Sequence, residues 1–283
     1  MPWDFIRLND GRQIPSIGFG TWKLGNGQGT IDQVNQAISV GFSHVATAQA
    51  SRNESEAGIA LRESGLERTD IFITTEYSGL GGLDIRTSIN NSLKNLGVSY
   101  VDLYLIQHPR LAVPDIPIVW AEMEAIQAEG LAKSIGVSNF SVEHLDILFA
   151  SAKVKPATNQ ILLHPYVYAR QLPILEYAAK HNIVIEATAR LRGPVDAPVR
   201  AIANRLGVST DQVLAWTKAK GAVVITYALS LFAPHSLVPH NTTADNGRNS
   251  TSSKSERLVG YLSAGDLQLT ADDILAIDVA GAT

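Results

Sequence analysis

Gly41-Phe42-Ser43-His44-Val45-Ala46-Thr47-Ala48-Gln49-Ala50-Ser51-Arg52-Asn53-Glu54 is the stretch on which the fold of this chain turns. It reads as a short strand, a loop and the start of a helix. His44 to Thr47 is a compact, partly β-branched run. Asn53 can accept from backbone N–H groups as an N-cap, which sets Glu54 and Glu56 in the first turn, where the helix dipole favours carboxylates. A strand-to-helix loop of this kind is where an α/β barrel keeps its chemistry.

Outward from it the same alternation repeats. Apolar runs of strand type fall at Ile17–Gly20, His44–Thr47, Ile71–Thr75, Val101–Ile106, Ser134–Val137, Pro156–Ile161, Ile183–Ala187 and Ala222–Thr226. Helical spacing separates them: Leu83–Leu96, with Ile85, Ile89, Leu93 and Leu96 on one stripe, then Ile116–Ala128 and Val142–Ala150. Ahead of the first barrel strand, Phe5–Leu8 and Arg12–Pro15 flank the turn Asn9-Asp10-Gly11 as a hairpin. The pattern predicts a (β/α)8 TIM barrel with an N-terminal β-hairpin, rather than a doubly wound sheet, as one unit over residues 1–283.

The totals narrow the function. Hydrophobic residues make up 45% and charged residues 18%, which suits a globular protein with a sizeable core. The net charge of -4 and the lack of a basic cluster argue against nucleic acid. Without cysteine there is no disulfide, thiolate metal site or cysteine nucleophile. The first residues form no apolar signal core and no run is long enough to span a membrane, so a cytoplasmic location and a monomer are the expectations. No metal site is expected. Asn-x-Ser/Thr sequons, such as those at Asn53, Asn139, Asn241 and Asn249, are read as chance.

The quoted stretch resembles the aldo-keto reductase family, in which the run reads Gly-hydrophobic-x-His-hydrophobic-Asp-Thr-Ala-x-x-Tyr-x-Asn-Glu. Gly41, His44, Thr47, Ala48, Asn53 and Glu54 keep its frame. Gly18-Phe19-Gly20-Thr21-Trp22, Asp102 to Ile106, Gly136 to Phe140, Asn159-Gln160-Ile161 and His164-Pro165-Tyr166 follow in the family's order. The resemblance implies the same barrel and carbonyl reduction with hydride from NADPH. In the family a Tyr donates the proton, a Lys lowers its pKa, an Asp holds the Lys and a His orients the carbonyl.

At those four positions this chain carries Ser51, Glu76, Ala46 and Gln107 respectively. His108 follows Gln107 and should point away from the barrel axis by strand alternation. The family's Tyr that stacks on the nicotinamide is Thr188 here, and Arg190 stands where Pro is usual. For the cofactor, Ser138, Asn139 and Gln160 match the residues that hold the carboxamide. Thr21 and Trp22 match pocket-lining positions, and Ser252, Lys254 and Arg257 match the site for the adenosine 2′-phosphate. NADP(H) binding is therefore expected to be weak or lost.

One segment resembles nothing in the family. Tyr227 to Ser250 lacks helical or strand period and separates Thr226 from Thr251-Ser252-Ser253-Lys254, which the family joins almost directly. Thr-Tyr-Ala can be encoded with an intron 5′ boundary and Asn-Ser with a 3′ boundary, so the insert at 227–250 reads as a retained in-frame intron, with a genuine insertion as the alternative. The resulting expectation is a reductase-like barrel that has lost the reduction tetrad, a pseudoenzyme or binder of a small-molecule ligand. A non-redox enzyme using Glu76, Gln107 or His108, and an NADPH-dependent reductase with an unusual proton donor, are the alternatives.

Overall fold

The computed structural model describes residues 3–188, 196–208, 215–227 and 252–282, with the backbone alone at Asp196, Tyr227 and residues 252–254. Strands β1 (Phe5–Arg7) and β2 (Gln13–Pro15) pair antiparallel as the hairpin, Phe5 opposite Pro15. The barrel strands are β3 (Ile17–Gly20), β4 (His44–Ala46), β5 (Phe72–Tyr77), β6 (Val101–Ile106), β7 (Ala132–Ser138), β8 (Thr158–Leu162), β9 (Val184–Thr188) and β10 (Val223–Tyr227). They run parallel in the closed order β10-β3-β4-β5-β6-β7-β8-β9. The expected (β/α)8 barrel with its N-terminal hairpin is therefore the observed one.

Each strand's successor helix packs outside: α1 (Gln28–Ser39), α2 (Glu54–Glu63), α3 (Ile85–Leu96), α4 (Ile116–Ala128), α5 (Val142–Phe149), α6 (Pro165–His181), α7 (Asp196–Leu206), α8 (Ala215–Ala219), α9 (Ser252–Ser263) and α10 (Ala271–Gly281). Helix α3 shows why they form. Asp84 accepts from the Thr87 N–H at 2.7 Å as its N-cap, and Gly97 ends it at φ +70°. The predicted stripe is buried, Ile89 and Leu96 completely. Each such side chain contributes about 1.5–3 kcal/mol of burial free energy.

Period-two alternation sorts the strand side chains into two cores. Val45, Ile73, Tyr104, Ile106, Ile185 and Val224 face outward into the helix layer. Ala46, Leu103, Leu105, Val223 and Ile225 face inward, with Leu8 and Ile14 of the hairpin segment packed among them. The hairpin thus plugs the end of the barrel where the strands begin. Asn9 Nδ2 donates to the Pro156 carbonyl at 2.8 Å and Ser134 Oγ donates to Asp10 at 2.6 Å, fixing the plug to the segment that leads into β8 and to β7.

Strand limits depart slightly from the sequence reading. β5 runs to Tyr77 instead of Thr75, because its neighbour β6 is long enough to pair Glu76 with Leu105 and Tyr77 with Ile106. β10 includes Tyr227, in register with Gly20. The remainder of the 227–250 insert lies outside the described residues, as does Arg190. Among the described residues no helix is long and apolar enough to cross a membrane.

Candidate active and cofactor site at the barrel mouth

The same alternation decides which residues reach the mouth. On β5 it turns Phe72, Thr74 and Glu76 inward, and on β6 Leu103 and Leu105, with Gln107 next in the series. On β8 it turns Thr158, Gln160 and Leu162 inward, and on β9 Glu186 and Thr188. Where the strands end, Glu76, Gln107, Gln160, Leu162 and Thr188 of this series line a cavity of about 500 Å³. Ala46, Ser51, Glu76 and Gln107 all line it, although they come from four separate segments.

Their surroundings differ. Ala46 closes β4 and Glu76 is buried, whereas Ser51, at the end of a 3-10 turn, and Gln107 are half-buried. The Gln107 N–H donates to the Tyr77 carbonyl at 3.0 Å, continuing the β5–β6 ladder. Its own carbonyl accepts from Asn139 Nδ2 at 2.9 Å. Asn139 sits in the left-handed region at φ +62° and also donates to Ser138 Oγ at 3.0 Å, while Ser138 Oγ donates to the Gln160 carbonyl at 3.1 Å. Ser138, Asn139 and Gln160 therefore form one polar wall of the cavity, linked to Gln107.

Burial governs the charges. Burial pushes the Glu76 carboxyl up from its usual 4.5 to about 7, with the Gln107 and Gln160 side chains opposing by hydrogen bonding. Glu186 is directly across from Gln160 in the β8–β9 register and is completely buried. Burial also raises it to about 7, and the Glu76 charge adds to the rise. Thr158 and Gln160 lie near enough to favour its ionised form somewhat, but no bond of ordinary geometry reaches either carboxylate oxygen.

Deeper in, burial holds His44 down at about 3, so its imidazole is neutral, with Nε2 2.9 Å from Thr74 Oγ1. Gly18 makes room for that ring, since a Cβ there would stand 2.6 Å from His44 Nδ1.

The remaining expected residues divide. Trp22 lines the cavity and is 39% exposed. Thr21 is fully buried, with Oγ1 donating to Thr47 Oγ1 at 3.0 Å, and Thr47 lines the wall in front of it. Asn53 occupies the N-cap of α2 but does not accept there. Its Nδ2 donates to the carbonyls of Thr21 at 2.9 Å and Gly25 at 3.1 Å, because the loop after β3 presents two carbonyls to it. Arg257 is half-buried on α9, and the side chains of Ser252 and Lys254 lie outside those described. His108 is not on the cavity wall. Its Nδ1 accepts from the Arg110 N–H at 3.1 Å, which caps a 3-10 turn and removes it from the candidate groups. Among the described residues no group of three or more His, Asp or Glu side chains could hold a metal ion.

A (β/α)8 barrel whose polar cavity opens at the strand ends is the frame of a large class of enzymes. Within that class the model of the aldo/keto reductase family matches residues 16–195, and the chain belongs to that family. It is 38% identical over 226 residues to the methylglyoxal reductase DkgA of Salmonella typhimurium, covering 78% of this chain and 81% of that protein. It is 34% identical over 260 residues to the aldehyde reductase YPR1 of Saccharomyces cerevisiae, covering 80% and 82%. Among solved structures, an aldo/keto reductase from Brucella melitensis superposes with a TM-score of 0.82 at 30% identity, covering 98% of this chain and 99% of that one.

The family generally binds NADP(H), and the wall allows the fit to be judged. Ser138, Asn139 and Gln160 offer the amide and hydroxyl groups that suit a carboxamide. Among the described residues the β9 side of this wall carries no aromatic ring: Thr188 closes β9, with Oγ1 donating to the Ile161 carbonyl at 3.2 Å, and Trp22 is the aromatic side chain that lines the cavity. The residues fit the carboxamide end of a nicotinamide and leave its ring without a stacking partner on that side.

Proposed function

We propose that this chain is an aldo-keto reductase family member that keeps the cavity and has lost carbonyl reduction, a ligand-binding barrel with residual NADP(H) binding at most. The observation that carries the reading is the shared wall of Ala46, Ser51, Glu76 and Gln107. At the positions that by resemblance hold Asp, Tyr, Lys and His, it offers a methyl, an alcohol, a carboxyl and an amide. Carbonyl reduction needs a proton delivered to the oxygen on which charge develops. The Ser51 alcohol is far less acidic than a phenol and its side chain is shorter. Ionised Glu76 opposes a developing alkoxide.

A bound nicotinamide supplies hydride chemistry. On this chain Ser138, Asn139 and Gln160 would hold its carboxamide and Trp22 would stand beside it, with Arg257, Ser252 and Lys254 toward a 2′-phosphate. NADPH oxidation with a panel of aldehydes and quinones is the test. No turnover is expected, and turnover at ordinary enzyme rates, roughly 1–10³ s⁻¹, refutes the reading.

One observation favours a second reading. A carboxyl at about 7 on a cavity wall is suited to general acid–base work. Glu76 would then serve a non-redox isomerisation or rearrangement, and it is also the group available to a reductase with an unusual proton donor. Substrate conversion without NADPH consumption marks the former and conversion with it the latter. A cytoplasmic monomer is proposed on the same footing, and residues 227–250 are proposed as a retained intron. Transcripts joining codon 226 to codon 251 support that origin; an uninterrupted exon without splice signals rules it out.

A further inference from the structure

Reading the chain as a ligand-binding barrel leaves the class of ligand open, and the charge of the cavity bears on it. Among the described residues on its wall Glu76 is the one acidic side chain, and no Lys, Arg or His stands beside it there. The side chains that favour its ionised form are the neutral amides of Gln107 and Gln160. Each amide that donates to the carboxylate still carries a carbonyl oxygen able to accept. One residue across from Gln160 is Glu186, fully buried, with neither carboxylate oxygen partnered. Two buried carboxyls with no cation beside them among the described residues are a costly arrangement in a low-dielectric interior. The group that relieves it is a positive charge with several N–H donors, and the open cavity is its route of entry.

We propose that the cavity binds a small organic cation, a primary or secondary amine with an apolar body, whose ammonium group is received by Glu76. The site rests on the ligand-binding reading above and gives it a chemical class. A cavity of about 500 Å³ is in the range that takes small organic ligands. Ala48, Leu162, Ile225 and Trp22 supply apolar wall for the body of the ligand. An ammonium group has donors for the carboxylate and for the amide oxygens flanking it. Among the described residues, exposed cations next to wall residues are Lys23, with Nζ 4.3 Å from the Trp22 ring centroid, and Arg52, which follows Ser51. Both are off the cavity wall, and solvent screens charges so placed.

The test titrates the full chain with benzylamine, benzyl alcohol and benzoate by calorimetry at pH 7.5, three probes of one shape and different charge. Benzylamine is expected to bind about 10- to 100-fold tighter than benzyl alcohol, the usual return of a hydrogen bond to a charged group. Glu76→Gln should abolish the preference and Glu76→Asp should keep part of it. Repeated at pH 6.5 in two buffers of different ionisation enthalpy, benzylamine binding should release protons, because the ammonium favours ionised Glu76. A merely structural role for Glu76 does not move that readout. Equal or tighter binding of benzyl alcohol or benzoate to the unaltered chain overturns the cation site. A benzylamine preference that survives Glu76→Gln in folded protein overturns it as well. NADPH consumption with benzaldehyde overturns the functional reading instead, and an amine preference in the same sample still upholds the cation site.

Discussion

Replacing Glu76 by Gln removes a buried ionisable group and should stabilise the protein in a strongly pH-dependent way. In the folded chain the carboxyl sits at about 7 against a usual 4.5, so the folded state binds its proton more tightly than the unfolded state. Below about pH 4.5 the group is protonated in both states and costs nothing electrostatically. As pH rises from about 4.5 to about 7, the unfolded chain releases the proton first and stability falls; above about 7 the loss is complete. Each pKa unit is about 1.4 kcal/mol, so the full cost is about 3 kcal/mol. Glutamine keeps the shape and an acceptor for the flanking amides while removing the charge. Glu76→Gln should therefore gain about 3 kcal/mol at pH 8.5 and little at pH 4.5. For a chain of this size that is a rise in Tm of about 5 °C. Scanning calorimetry of both proteins at the two pH values, with urea melts as a check, measures it. An equal gain at both pH values, or a loss at pH 8.5, refutes the argument that burial leaves this carboxylate inadequately compensated.

Three further outcomes follow from the same geometry. Ser51→Tyr alone should leave NADPH-dependent reduction undetectable, because an ionised Glu76 facing the new phenol raises its pKa above about 10; substantial activity in that single variant counts against the role given to Glu76. Restoring Asp, Tyr, Lys and His at Ala46, Ser51, Glu76 and Gln107 together should give far more reduction than the four single changes combined, since such residues act as a unit. Gly18→Ala should cost about 1–3 kcal/mol, measured by urea unfolding, as its methyl would stand 2.6 Å from His44 Nδ1; an unchanged midpoint would show that the imidazole can move aside.

The barrel was legible because each strand is a short apolar, β-branched run and each legible helix carries its stripe, as Ile85, Ile89, Leu93 and Leu96 do on α3. The positions of Ala46, Ser51, Glu76 and Gln107 were legible as ordered motifs, and alternation along β6 correctly sent His108 off the wall. Glu186 was not. In Ile183 to Ala187 a single Glu reads as an ordinary strand residue; closure of the barrel turns it inward and places it across from Gln160, facts of pairing that a local pattern does not carry. A carboxylate inside an otherwise apolar run was the available signal. Asn53 misled for a related reason. At a helix start its amide reads as an acceptor, and the carbonyls of Thr21 and Gly25 that make it a donor come from a loop far away in sequence.

The hairpin plug sets the traffic of the cavity. With Leu8 and Ile14 packed among the inward residues at the strand starts, the described residues make the barrel a blind well that opens at the strand ends. Two molecules sharing it must leave in the reverse of their order of arrival. A tight first occupant then sets the pace for everything that enters after it, and the release rate of a deeply seated molecule becomes the clock of the whole site.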